Sequence, residues 1–162
     1  MGLAVMAGAA MAQATWAPRL EVGGAFPNLV LLTVVALSWT LGTRPAMLWA
    51  LVGGLLLDLT SAGPVGPHAL ALLPGVYVIG FWIRNLERLN PVHVALSAAV
   101  CTLLYSIVLV LTDELLSTPL PALDTAVQLT FAAAIYNALL GPVAFELVRR
   151  LQTLVRAGPQ PA

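Results

Sequence analysis

The chain has no lysine and a single cysteine, and only 9% of its 162 residues are charged. Each shortage removes a class of function. A soluble domain of this size carries roughly 25% charged residues. With 60% of the residues hydrophobic, lipid must replace water over most of the surface. The seven cationic residues are all arginine and face seven Asp plus Glu. That balance offers neither a basic patch for nucleic acid nor an acidic tail. Cys101 alone makes neither an internal disulfide nor a multi-cysteine metal site. It falls in an apolar run, where a small buried hydrophobe is expected. No long hydrophilic loop or low-complexity stretch breaks the chain, so no part of it can house soluble chemistry, and no cofactor is expected.

What remains is a series of apolar runs. Cut at its charged residues, the chain leaves long uninterrupted stretches at 1–18, 22–43, 45–57, 59–83, 89–112 and 125–145. A spanning helix needs ~20 apolar residues, with a range of about 17–25. Five of the six runs reach that length, and the third does so only by continuing past Asp58. The first run has an Ala10-Met11-Ala12 segment like the end of a signal peptide. No cation precedes Arg19, however, so a retained helix is expected. The breaks carry helix punctuation: Gly42 before Pro45, the 61–67 turn with its prolines and glycines, Asn90-Pro91, and Pro119 with Pro121. These features predict an all-α polytopic membrane protein with about six transmembrane helices in a compact bundle with short loops. One transmembrane domain then covers 1–162, with helices at roughly 2–17, 28–42, 45–60, 65–83, 91–116 and 122–151.

Orientation follows from the arginines. With the N- and C-termini in the cytoplasm, six crossings put Arg44, Arg84, Arg88, Arg149, Arg150 and Arg156 inside and only Arg19 outside. The positive-inside rule expects that split. Asp113, Glu114 and Asp124 then lie outside, and Trp39, Trp49 and Trp82 fall near the inner interface.

Asp58 is the most informative side chain. The run before it is too short to carry it into water, so it sits at the outer edge of the hydrocarbon, at the unfavourable end of its own helix dipole. Its nearest donors are the free N–H groups around Gly66 to Ala69 at the start of the fourth helix. Asp58 pins this outer turn, or is a partner contact or a buried ionisable site, the default reading of charges in membranes; the two roles are compatible. Ser61, His68 and Asp58 are the residue types of a hydrolase triad, but the turn contains no nucleophile elbow or oxyanion donors. His93 falls on the opposite face from His68, which argues against a joint metal site. Asn137 and Gln128 lie within the sixth run, and Pro142 is expected to kink it; Asn137 can bond across to another helix. Ala4, Gly8 and Ala12 repeat small residues every fourth position on the first helix, as do Ala50 and Gly54 on the third, a spacing that suits close helix approach. Glu146 with Arg149 and Arg150 forms a surface cluster at helical spacing.

Gly53-Gly54-Leu55-Leu56-Leu57-Asp58, then Gly66 and Ala69-Leu70, resemble the rod shape-determining protein MreD family. Pro27-Asn28-Leu29 is similar to that family's Pro-Asp-Leu opening of the second helix, with Asn28 in place of the acid. Asn137-Ala138-Leu139-Leu140 with Pro142 looks like its final helix. The resemblance covers essentially the whole chain. It implies a non-enzymatic scaffold or regulatory subunit of the cell-elongation complex in the bacterial inner membrane, supporting rod shape and lateral peptidoglycan synthesis. The implied partners are the bitopic protein MreC, with MreB, RodA and a class B penicillin-binding protein in the same assembly; a homo-oligomer is compatible with it. Asp58, Gly66, His68, Asn137, Pro142 and the Ala4/Gly8/Ala12 face are the structural or partner-contact candidates. The alternative is the vitamin-binding membrane component of an energy-coupling-factor transporter. That reading needs a pocket with converging polar groups, for which Asp58, His68, Asn137 and Gln128 are the candidates.

Overall fold

The computed structural model describes residues 2–61, 63–85, 90–116 and 122–156. Arg88 and the turn expected at 117–121 lie outside the described residues. Among the described residues six α-helices follow one another: α1 (Gly2–Thr15), α2 (Leu29–Leu41), α3 (Thr43–Thr60), α4 (Pro67–Asn85), α5 (Pro91–Leu115) and α6 (Leu123–Arg156). A 3₁₀ turn at Ala17–Leu20 follows α1. Among the described residues there is no strand, only an isolated bridge between Val22 and Ala25. The class is all-α, as the sequence predicts.

The helices are arranged around α2. It touches each of the others, while α1, α3, α4, α5 and α6 form an arc in which successive members pack together. The reason is compositional. Ten of the thirteen residues of α2 are buried, from Val30 to Trp39, and a helix that is hydrophobic all round belongs in the middle. Close packing beside it relies on missing side chains. A Cβ at Gly54 of α3 would fall onto the backbone of Ala69 and His68 in α4. One at Gly75 of α4 would strike the buried Cys101 of α5.

Among the described residues, two helices are long and apolar enough to cross a membrane by themselves: Pro91–Leu115 and the Leu123–Leu154 part of α6. α1 and α2 are apolar but shorter, about 20 Å each at 1.5 Å per residue, against a hydrocarbon core of about 30 Å. The physical consequence is specific. The first N–H groups of a short helix inside a bilayer have no water to bond, so protein must supply the acceptors. α6 runs unbroken through Pro142, as α4 does through Pro74.

At the end carrying Arg44, Arg84, Arg149 and Arg150, Gln152 Nε2 donates to Thr40 Oγ1 at 3.0 Å. Trp39 faces the interior of the bundle. It is buried, its Nε1 donates to Ser97 Oγ at 3.1 Å, and its ring stacks on His93 at 6.4 Å. An indole with an internal acceptor can be buried at little cost. Trp49 and Trp82 are half-buried.

Candidate functional site

The opposite end of the bundle holds the buried Asp58, and Asn137 and Thr102 are buried on the way to it. Asp58 is the last but two residue of α3 and is 1% exposed. Its Oδ2 accepts from the Gly66 N–H at 2.9 Å, and its Oδ1 accepts from the His68 N–H at 3.0 Å. The intervening residue is Pro67, which has no N–H to satisfy. A carboxylate at the C-terminal end of one helix thus caps the N-terminus of the next, exchanging the wrong end of its own dipole for the right end of its neighbour's. Gly66 makes the geometry possible: its φ of 125° lies in a region side-chain-bearing residues rarely adopt. The His68 ring adds a second contact. Its Nδ1 lies 2.9 Å from Asp58 Oδ1 but is not aligned as a hydrogen bond, so the contact is one of charge when the imidazole is protonated. The same ring meets Tyr105 of α5 edge-on, with centroids 6.0 Å apart.

A second cap serves α2. Asn28 Oδ1 accepts from the Leu31 N–H at 2.9 Å within the same turn. Gln13 of α1 accepts from the Leu29 N–H at 2.6 Å. Asn137 of α6 is fully buried; its Oδ1 accepts from the Asn28 N–H at 3.0 Å, and its Nδ2 donates to Thr102 Oγ1 of α5 at 3.0 Å. One asparagine therefore ties α6 to both α2 and α5. Asn28 was legible as a helix opener, since an Asn before an apolar run is a capping signature. Gln13 and Thr102 carry weaker signals in the sequence; that of Gln13 is a lone amide in an otherwise apolar first helix.

The remaining candidates separate. Ser61 Oγ donates to the main-chain oxygen of Asp58 at 2.9 Å, not to His68, so the three triad residue types are adjacent without the relay a nucleophile needs. Among the described residues, no group of three or more His, Cys, Asp or Glu could hold a metal. Gln128 is exposed, away from Asn137. Ala4 and Gly8 are also exposed, and the inward face of α1 is formed by Met6 and Ala10. Pro142 is half-buried.

Between the two capped helix starts lies a cavity of about 540 Å³. Gln13, Asn28, His68, Tyr105 and Asn137 are among the residues lining it. Asp58 is not, because its carboxylate is enclosed by the turn it caps.

The chain's residues 1–151 match the family model of the rod shape-determining protein MreD. The chain belongs to the MreD family. No curated protein and no solved structure matches it. Membership carries a role in rod shape determination, in a family of membrane proteins that determine shape and are not known as enzymes. Within the MreD region, every capping contact described above lies between residues 13 and 137.

Proposed function

We propose that this chain is a six-span subunit of the bacterial elongation complex that docks the transmembrane helix of an MreC-like bitopic protein. In this reading it works as a scaffold, with MreB, RodA and a class B penicillin-binding protein in the same assembly, and supports lateral peptidoglycan synthesis. The observation that carries the reading is the MreD match over residues 1–151. Two structural features support it. The Asp58 carboxylate and the Gln13 and Asn137 amides are engaged with helix N-termini, as residues that determine a fold are. The outward faces of the helices are apolar along their length, as with Leu123, Val127, Phe131, Ile135 and Leu139 on α6. Such faces associate through packing, with small residues such as Ala4 and Gly8 allowing close approach.

Cytoplasmic termini are supported by the clustering of Arg44, Arg84, Arg149 and Arg150 at one end of the bundle and by Gly2 lying against Trp49 near that end. Cys101 is buried, so single cysteines introduced at positions 3 and 154 can be read with an impermeant thiol reagent. Labelling from the periplasm would remove the topology and the docking mode together. The partner test is co-purification of an MreC-like protein from detergent. A stable, partner-free protein whose deletion leaves cell shape unchanged would count against docking.

The cavity favours a second reading, the vitamin-binding component of an energy-coupling-factor transporter. His68 and Asn137 line it, while Asp58 and Gln128 do not. A vitamin co-purifying at one per chain would establish that reading.

A further inference from the structure

α5 and α6 are held together below Thr102 and Asn137 and stand apart above them. On the closed side, Gly141 lies so near α5 that a Cβ there would press on Ala98 at 3.1 Å. At the boundary, the Asn137–Thr102 hydrogen bond joins the two helices. Beyond it, two spaces open, one on each side of the α5–α6 seam. The inward one is the 540 Å³ polar cavity. The outward one is a cleft of about 440 Å³ walled by Leu103, Ile107, Val110, Val127 and Phe131. Ser106 and Thr130 line both spaces. Each volume falls in the ~300–1,000 Å³ range of small-molecule sites.

We propose that these joined spaces bind one amphiphile, with its hydrocarbon chain in the α5–α6 cleft and an uncharged, hydroxyl- or amide-bearing head in the polar cavity. The cleft lies on the two helices most suited to lipid, so a chain can enter sideways from the bilayer. The head is defined by what lines the cavity. Gln13, Asn28, His68, Tyr105 and Asn137 supply amides, an imidazole and a phenol, and among the described residues no arginine lines it. The imidazole is already set against the Asp58 carboxylate at 2.9 Å, so an anionic headgroup would find no unpaired countercharge there, and its desolvation would go uncompensated. A polyol would find hydrogen-bonding groups. The passage itself is polar in an unusual way. Ser97, Thr102 and Thr112 of α5 each turn their hydroxyl onto a carbonyl of their own helix. Among the described residues, Ser106 and Thr130 make no such bond. Their hydroxyls are placed where head and chain of an amphiphile would join. The inference rests on α5 and α6 lying in lipid and not on which protein the chain docks.

The test uses the full chain in phosphatidylcholine nanodiscs, with monogalactosyl diacylglycerol as the neutral probe, phosphatidylglycerol as the anionic one and free galactose as the headgroup alone. Native mass spectrometry reads retention. One neutral glycolipid per chain is expected, at least tenfold above phosphatidylglycerol, with no retained galactose. Val127→Trp, which fills the cleft, should abolish retention. Ser106→Ala with Thr130→Val should reduce it about tenfold while leaving thermal stability unchanged. Equal retention of the two lipids, indifference to both variants, or retention of free galactose alone would each overturn the proposal.

Discussion

Asp58 and Glu146 are both helix carboxylates beside basic or amide donors, yet the structure places them in opposite surroundings. Glu146 accepts from Arg149 and Arg150 at 2.8 Å, one and the other of a pair on the next turn of its own helix, with all three side chains at least one-third exposed. Asp58 is enclosed and bonds to two backbone amides of a different helix. The first arrangement is local and needs no tertiary structure. The second exists only when α3 and α4 are packed. Exposed pairs contribute little because water competes for both partners, whereas losing one side of a buried set strands the other. The same side-chain chemistry therefore decorates the fold at one end and specifies it at the other.

Substitutions can break or sharpen this contrast. The largest effect is expected at Asp58→Ala, which leaves the Gly66 and His68 N–H groups without acceptors, about 1–3 kcal/mol for each. Thermal unfolding in nanodiscs, followed by tryptophan fluorescence, should show a fall of several degrees or more. A smaller loss should follow Gly66→Ala, where the φ of 125° is retained only against strain of about 1–3 kcal/mol. If the alanine variant matches wild type, the turn can form without that conformation. Asn137→Leu removes the acceptor for Asn28 N–H and the donor to Thr102, and about 1–2 kcal/mol is expected from such interhelical bonds. A double-mutant cycle with Thr102→Val should show that the two substitutions are not additive. The smallest effect belongs to Glu146→Gln: no resolvable change in unfolding temperature at ordinary salt. A fall comparable with that of Asp58→Ala would erase the distinction between the two ends.

Much of this organisation is visible in the amino-acid order, and the parts that are not share a cause. Helix starts at Asn28 and Asn90 and the break at Gly42 follow from local chemistry, and each is where the chain turns. The acceptor role of Asp58 is legible because its donors lie only eight and ten residues further on. Gln13 is different, because nothing near it in the chain says that Leu29 will need an acceptor. Thr102 meets Asn137 across thirty-five positions for the same reason. Small-residue spacing alone does not say which way a helix face turns. Ala4, Gly8 and Ala12 form a repeat suited to close packing, but Met6 and Ala10 face inward, because the long thioether fills the hollow left by Gly53. Nothing near Trp39 in the chain announces its burial, which depends on Ser97 and His93 arriving from another helix. Local capping can be read from sequence. Contacts set by the packing of distant helices cannot.

Hydrogen–deuterium exchange at the Gly66 and His68 amides, measured in nanodiscs, tests the capping of α4 by Asp58 most directly. The account predicts protection like that of the interior of α4, lost in Asp58→Ala while the rest of the bundle stays protected. Exchange at loop rates in the unmodified protein, or protection that survives removal of the carboxylate, would contradict it.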